Sequence, residues 1–245
     1  MLNTLLSYRV KMVIRDLFLR AGNPFQIVSF SPQHKRLYEL SPFEVVVHVG
    51  ADTGQESVFY EFIKSKKVFW IEANPETFEI LLRNIRKRRR STQIAANALV
   101  SSTNDNFLEL NLFSLSGANS VYLPTNEFLS LNERRFLTGK KLKIETATLP
   151  KVLESFNFNF QKVGLNLLVI DVEGHELEVL KGCSTEFLLS FDYIMCEVSK
   201  HVRHVGAASF SDLTSYLKNR GFLIDFEGPR KIFDDVIYCR QNLEP

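Results

Sequence analysis

One stretch near the start of the chain decides the fold: EVVVHVGADTG, which runs from Glu44 to Gly54. Its first six residues form a short, nearly continuous apolar run, which is typical of a strand buried on both faces of a parallel sheet. Glycines at 50 and 54 then let the backbone turn tightly without interference from a Cβ atom. The stretch therefore predicts a buried strand, a glycine-bearing turn and, from about Gln55 to Lys64, a helix.

The same alternation of strand and helix continues along the rest of the chain. Further strands are predicted at residues 67–71, within 92–100, and at 108–113, 143–149, 165–170 and 193–198. Helices are predicted between them, at 75–90, 151–156, from 176 to near 182, and at 211–220. Residues 222–226 and 235–239 are predicted to form a final antiparallel pair. The pattern indicates a doubly wound, Rossmann-like α/β fold, mainly parallel with a C-terminal antiparallel strand.

Length and composition limit the organisation of the chain and its partners. The 245 residues suit one domain, predicted at 25–245, after an amphipathic helix within 1–24 that would dock on the domain, a second protomer or a membrane surface. The net charge of +2 is too small to indicate a nucleic-acid partner, and the three cysteines form no CxxC pair. No apolar run reaches the ~18 residues of a transmembrane segment. We therefore expect a cytoplasmic protein.

Acidic residues follow several of the predicted strands. Asp52 comes just after the first strand, Glu72 ends the second, and Asp171 and Glu197 lie at the ends of two later ones. In an open α/β sheet, ligands bind outside the carboxyl ends of the strands, where the strand order reverses. Glu72 lies 22 positions after Gly50. A carboxylate at this place can accept hydrogen bonds from both ribose hydroxyls of an adenosine.

The glycine turn distinguishes between two nucleotide ligands. A dinucleotide site requires G-x-G-x-x-G with the pyrophosphate on a helix N-terminus, whereas this turn has G-x-x-x-G and carries Asp52, which would repel a pyrophosphate. An acidic turn suits a positively charged ligand, such as an amino acid that carries a sulfonium. We therefore predict S-adenosylmethionine as the cofactor, with an NAD-dependent oxidoreductase as an alternative.

Several segments of the chain resemble the FkbM-type methyltransferases. Residues 47–54 resemble the family's first motif, D-[VI]-G-A-N-x-G, and residues 72–75 resemble its E-P-N-P segment. Residues 97–100 are similar to the stretch of the family that flanks adenine, and residues 117–120 are similar to the family's small-residue loop. Residues 146–149 resemble its T-x-T-L-D segment, and residues 197–198 resemble its later acidic strand end. The most specific match is IDVEGHE at 170–176, which continues to LKG at 180–182. Three positions depart from the family: His48 replaces an Asp, Asp52 an Asn and Pro150 an Asp.

The resemblance implies the class I methyltransferase fold and S-adenosylmethionine-dependent methyl transfer, commonly to a hydroxyl of a sugar, a glycan or a natural product. A catalytically silent, cofactor-binding partner subunit is the alternative, because His48 replaces the usual Asp. With the turn and the strand-end acids, the resemblance predicts these cofactor-binding residues: His48, Gly50, Ala51, Asp52, Gly54, Ser57, Glu72, Ala73, Asn74, Asn97, Ala98 and Asp171.

An O-methyltransferase also needs a group that removes the proton of the acceptor hydroxyl, either a general base or a metal ion. We predict Asp171, Glu173, His175 and Glu197 as catalytic residues. His175 is a candidate base because histidine titrates near neutral pH. The alternative is a divalent ion such as Mg²⁺ held by Asp171 and Glu197. The basic residues at 200–204 would either line the acceptor pocket or form a solvated loop.

Overall fold

A computed structural model describes residues 31–88, 90–131, 136–158, 160, 164–199, 203–228 and 233–241. The predicted N-terminal amphipathic helix lies outside these residues. Among the helices that the model describes, none is both long and apolar enough to span a bilayer.

The strands and helices alternate along most of the described chain. The strands are β1 (Phe43–Val49), β2 (Lys67–Glu72), β3 (Thr92–Asn97), β4 (Leu99–Val100), β5 (Phe107–Phe113), β6 (Leu137–Ala147), β7 (Leu165–Ile170), β8 (Tyr193–Ser199), β9 (Phe222–Glu227) and β10 (Phe233–Arg240). The α-helices are Pro32–Leu40, Ser57–Phe62, Pro75–Ile85, Asn126–Leu131, Leu149–Glu154, Glu176–Lys181, Thr185–Leu188 and Phe210–Lys218, and Ser116–Ala118 is a short 3-10 helix.

Seven of the strands form the central sheet, in the order β3-β2-β1-β7-β8-β10-β9. The first five in this order are parallel, and β10 is antiparallel to both of its neighbours. The predicted doubly wound fold, with its C-terminal antiparallel pair, is therefore confirmed. The chain builds outward from β1 in one direction and from β7 in the other, so the strand order reverses between β1 and β7. Ligand sites of open α/β sheets lie at this switch point.

Both faces of the central sheet are covered at β1, as the apolar run of this strand predicts. Val45, Val47 and Val49 pack into the core on one face. Val46 packs on the other face, in the cluster that contains Trp70 and Leu81. Because neighbouring side chains along a strand point to opposite faces, a continuous apolar run requires cover on both sides.

The structure also differs from the predicted elements in several places. The 92–100 segment is divided at Ala98, whose N–H donates to the Glu72 carbonyl at 3.1 Å, so β3 ends there and β4 enters a second sheet of order β4-β6-β5. The β6 strand is longer than predicted. Its first half is exposed and lacks an apolar run, so the sequence pattern did not indicate it. The helices Pro32–Leu40, Asn126–Leu131 and Thr185–Leu188 were not predicted, since each is short and has few apolar residues in a helical period.

The turn after β1 is predicted to require glycine at position 50. Gly50 has φ +82°, and a Cβ added there would lie 1.7 Å from the carbonyl oxygen of Asp171. Gly139 has a similar φ of +77°, with no atom within 4 Å of an added Cβ. Gly139→Ala should cost about 1–2 kcal/mol, the penalty of a left-handed φ alone. Gly50→Ala should cost about 1–3 kcal/mol more, because two strand ends must separate.

Urea denaturation of both glycine variants measures this difference. Equal losses of unfolding free energy would show that the contact between the two strand ends is not required.

Candidate active site

The carboxyl ends of β1, β2, β7 and β8 surround one cavity of about 250 Å³. The small sheet and the loop after β5 close one side of it through Leu110, Gly117 and Val121. Most of the residues predicted to bind the cofactor or to act in catalysis lie in its wall: His48, Gly50, Ala51, Asp52, Glu72, Ala73, Ala98, Asp171, Glu173, His175 and Glu197.

The wall of the cavity is strongly acidic. Neither lysine nor arginine contributes to it among the described residues, whereas six carboxylates do: Asp52, Glu56, Glu72, Asp171, Glu173 and Glu197. A cavity with this charge favours a cationic ligand and repels a pyrophosphate.

The carboxylate of Glu72 is held by backbone N–H groups of the turn after β1 and of the turn after β2. Its Oε2 accepts the N–H of Asp52 at 2.9 Å, and its Oε1 accepts the N–H of Asn74 at 2.8 Å. The exposed fraction of Glu72 is 8%. Burial raises the pKa of Glu72 to about 7, and the charge of Asp52 raises it further, whereas the backbone hydrogen bonds lower it. Each carboxylate oxygen can accept a further hydrogen bond. Glu72 is therefore fixed in position and still able to accept hydroxyl donors from the cavity.

Asp52 leaves one carboxylate oxygen without a partner. Its φ is +43°, and its Oδ2 accepts a hydrogen bond from Gln55 Nε2 at 2.9 Å. The buried Oδ1 has no hydrogen-bond partner in the described part of the chain. A buried acceptor without a donor is costly, so this oxygen has capacity for a donor from a ligand.

His48 differs from the aspartate that the family has at its position. Its Nδ1 lies 3.0 Å from the hydroxyl of Tyr60. Its ring stacks on that of Trp70, with 5.4 Å between the ring centroids. Burial lowers the pKa of His48 to about 3, so the ring is neutral. The residue lines the cavity, but its ring belongs to an aromatic cluster in the core. The negative charge of the turn is carried by Asp52 instead.

Four residues predicted to bind the cofactor lie outside the cavity wall, namely Gly54, Ser57, Asn74 and Asn97. Asn74 caps helix Pro75–Ile85 by accepting the N–H of Glu76 at 3.0 Å. Asn97 Nδ2 donates to the carbonyls of Glu72 and Ala73, at 2.7 and 3.1 Å.

Gly54 and Ser57 have similar supporting positions. A Cβ on Gly54 would lie 2.6 Å from Leu81 Cδ1, and Ser57 Oγ accepts from Arg88 Nε at 3.2 Å. These four residues shape the turns around the cavity, and their contact with a ligand stays a prediction.

The loop between β7 and helix Glu176–Lys181 is held by Glu176. Two consecutive residues, Glu173 and Gly174, have positive φ values of 51° and 104°. The Oε1 atom of Glu176 accepts the N–H groups of Val172 at 3.2 Å and Gly174 at 3.0 Å. The side chain is buried, which raises the pKa of Glu176 to about 7. Glu176 therefore shapes the loop that carries Asp171, Glu173 and His175.

His175 lines the cavity, but both of its ring nitrogens already have partners. Nε2 lies 3.0 Å from Ser101 Oγ, and Nδ1 lies 3.3 Å from the hydroxyl of Tyr122. Burial lowers the pKa of His175 to about 4. The expectation that this histidine titrates near neutral pH is therefore wrong. A neutral ring of low basicity, bonded on both sides, is a poor proton acceptor.

The remaining acids meet at the ends of β7 and β8. Asp171 is exposed to the cavity. Its pKa is raised well above the usual value, both by enclosure of the carboxylate in the protein, which removes water from it, and by the charges of Glu197 and Glu173. Solvent reaches this side chain and weakens the effect of enclosure, so we attribute the direction mainly to the neighbouring charges.

Arg203 pairs with two of these acids. Its Nη2 lies 3.2 Å from Glu173 Oε2 and also contacts Glu197 Oε2. Arg203 and His204 have exposed fractions of 6% and 1%, so the described end of the basic segment is not a solvated loop. Sequence reasoning did not assign Arg203 to the acid cluster. The sequence signal was a cation shortly after a strand that ends in an acid.

A metal ion is not indicated by the side-chain arrangement. In the ranges that the structure covers, no group of three or more His, Cys, Asp or Glu side chains is placed to hold one. The Mg²⁺ alternative with Asp171 and Glu197 stays a prediction.

Comparison with known proteins gives a family and two curated relatives. The model of the methyltransferase FkbM domain matches residues 48–224. The hexuronic acid methyltransferase AglP of Haloferax volcanii is 27% identical over 206 residues, which are 84% of this chain and 74% of that protein. Methyltransferase 1 of Beauveria bassiana is 25% identical over 240 residues, which are 89% of this chain and 91% of that protein.

Solved structures show weaker similarity. Magnesium protoporphyrin IX methyltransferase of Synechocystis PCC 6803, with bound S-adenosylhomocysteine, has a TM-score of 0.48 at 9% identity, over 96% of this chain and 88% of that one. TrmK of M. capricolum, also with S-adenosylhomocysteine, has a TM-score of 0.43 at 11% identity, over 87% and 69% of the two chains.

The role of Glu176 in shaping the loop can be measured as stability. Glu176→Ala removes the acceptor of two loop N–H groups and should lower the free energy of unfolding by about 2–5 kcal/mol. Glu178→Ala, on the same helix, removes an ion pair with Lys181 at the surface and should cost less than about 1 kcal/mol. Guanidinium denaturation measures both variants. A loss in Glu176→Ala no larger than that of Glu178→Ala would contradict the assignment.

Proposed function

Because the chain belongs to the methyltransferase FkbM domain family, as its motifs predicted, we propose that it transfers a methyl group from S-adenosylmethionine to a hydroxyl of a sugar, a glycan or a related natural product. The observation that carries the proposal is the acidic cavity at the switch point between β1 and β7. Its geometry and charge suit an adenosine joined to a cationic amino acid, and they oppose the pyrophosphate of NAD.

Two residues fit the cofactor by their unused hydrogen-bonding capacity. Glu72 lies at the end of β2, fixed by two backbone donors, and would accept hydrogen bonds from the ribose hydroxyls. Asp52 Oδ1 is buried without a partner and would accept a donor such as the ammonium group. The cofactor, when bound, supplies a methyl group on a positively charged sulfur, whose charge matches the acidic wall.

Asp171 is the residue that we assign to proton removal. It opens to the cavity, and its raised pKa brings a carboxylate closer to the pH at which general bases work best. Glu173 and Glu197 are paired with Arg203, and His175 is bonded on both sides. Asp171 would therefore accept the proton of the acceptor hydroxyl.

A sugar acceptor is supported by one relative. The name of AglP states that it methylates a hexuronic acid, and this chain aligns with it over 84% of its length at 27% identity. We therefore expect a carbohydrate hydroxyl as the acceptor, and hexose and hexuronic acid glycosides are the first compounds to test. Cofactor binding without transfer to any acceptor would support the alternative of a silent partner subunit.

The raised pKa of Glu72 predicts how cofactor binding depends on pH. Ribose hydroxyls donate to the ionised carboxylate, so below pH about 7 binding must first remove a proton from Glu72. The affinity for S-adenosylhomocysteine should therefore fall as pH drops below about 7, approaching tenfold per pH unit. Glu72→Gln should bind more weakly, with little change over the same range. Calorimetry from about pH 5 to 8 tests this, and an unchanged slope in Glu72→Gln would rule out the ribose assignment.

The catalytic assignment predicts different effects for two neighbouring residues. Asp171→Asn keeps the shape of the side chain and removes its basicity, so the rate should fall about 10²–10⁴-fold while cofactor affinity changes little. His175→Gln should stay within about tenfold of the wild type, since we assign proton removal to Asp171 and not to His175. Single-turnover methyl transfer, with and without a chelator, measures both. A larger loss in His175→Gln would contradict this assignment, and activity lost with chelator and restored by Mg²⁺ would favour the metal mechanism.

A further inference from the structure

Arg203 is buried between two glutamates at the reacting end of the cavity. Its Nη2 is shared between Glu173, on the loop after β7, and Glu197, near the end of β8. The guanidinium also lies over the ring of Phe128, 5.6 Å from its centroid. Burial lowers the pKa of Arg203, but the charges of Glu197 and Glu173 outweigh it and raise the pKa overall. The arginine is therefore a fixed, permanent positive charge.

The backbone of Arg203 is fixed as firmly as its side chain. Its carbonyl accepts the N–H of Thr125 at 2.7 Å, and two residues later the N–H of Val205 donates to the carbonyl of Leu123 at 2.8 Å. Ser120 Oγ, at the start of the same segment, donates to the carbonyl of Glu173 at 2.8 Å. Three parts of the cavity surroundings therefore meet at this arginine: the 120–125 segment, the loop after β7 and the end of β8.

The charges around Asp171 explain why a shared arginine matters. Four carboxylates raise the pKa of Asp171 by their charge, those of Glu197, Glu173, Asp235 and Glu176. Asp235 accepts a hydrogen bond from Gln33 Nε2 at 2.6 Å, and Glu176 accepts two backbone N–H groups. In the described part of the chain, Arg203 is the cation paired with Glu197 and Glu173, and the charge of Asp171 also raises the pKa of Arg203.

We propose that Arg203 is a positioning residue of the reacting end, which pairs with Glu173 and Glu197 and directs both carboxylates toward itself, so that Asp171 is the carboxylate that receives the acceptor's proton. This inference rests on the proposed methyl transfer. The proton passes from the acceptor oxygen to a carboxylate oxygen of Asp171, and Arg203 keeps its own protons throughout. Without the arginine, three carboxylates of one cluster would compete for that proton.

Two charge changes with opposite effects test the proposal. Arg203→Gln removes the cation and should raise the pKa of Asp171 by about 1 unit or more, whereas Glu197→Gln removes an anion and should lower it. Arg203→Lys retains the charge without the shape of the guanidinium, so the pKa of Asp171 should shift less in this variant than in Arg203→Gln. The acidic limb of the methyl-transfer rate should move with this pKa, to higher pH in Arg203→Gln and to lower pH in Glu197→Gln. A purely structural role would not produce opposite shifts.

The same shifts can be followed without an acceptor. The carboxyl carbon of Asp171, labelled with ¹³C and assigned by its loss in Asp171→Asn, reports the titration in NMR spectra of the full-length protein. If Arg203→Gln fails the circular dichroism test of folding, Glu197→Gln and Arg203→Lys still carry the comparison. An Asp171 signal that titrates identically in all folded variants, or shifts the same way in both charge changes, would overturn the proposal. Calorimetry with S-adenosylhomocysteine reports separately on the proposed function.

Discussion

The close contact between Gly50 and Asp171 is the constraint on which the site depends. The Asp171 N–H donates to the carbonyl of Val49 at 2.9 Å, and the Gly50 N–H donates to the carbonyl of Ile71 at 2.9 Å. The turn after β1 is thus bonded to the ends of both neighbouring strands, with no room for a side chain on Gly50. This contact brings Asp52, next to Glu72, to the same cavity as Asp171.

The site gathers carboxylates and holds four of them in two different ways. Backbone N–H groups hold Glu72 and Glu176, and a buried arginine holds Glu173 with Glu197. Buried carboxylates need such donors, since an unpaired charge away from water is costly. Glu72, whose oxygens can each accept a further hydrogen bond, keeps capacity for a ligand, as do Asp52, with one unpaired oxygen, and Asp171, which opens to the cavity. Asp52 and Asp171 therefore suit a cationic cofactor and an acceptor proton.

Much of the fold could be predicted because its signals are local. The apolar run of β1, the glycines of its turn and the acid that follows or ends each strand are each read from a few consecutive residues. The roles of His48 and His175 could not be predicted, because their partners are distant in the sequence, and the role of Arg203 depends on distant Glu173 as well as on nearby Glu197. Tyr60 and Trp70 enclose His48, and Ser101 and Tyr122 engage His175. A histidine that looks free to titrate in the sequence is buried and neutral in the fold.

We propose that the cavity at the carboxyl ends of β1 and β7 binds S-adenosylmethionine with its reacting end at Asp171. A crystal structure of the protein grown with S-adenosylhomocysteine would locate the ligand. We expect the ribose hydroxyls on Glu72, the amino group on Asp52 Oδ1 and the sulfur facing Asp171. S-adenosylhomocysteine bound elsewhere would contradict this placement. So would a cavity that binds NAD and does not bind S-adenosylhomocysteine.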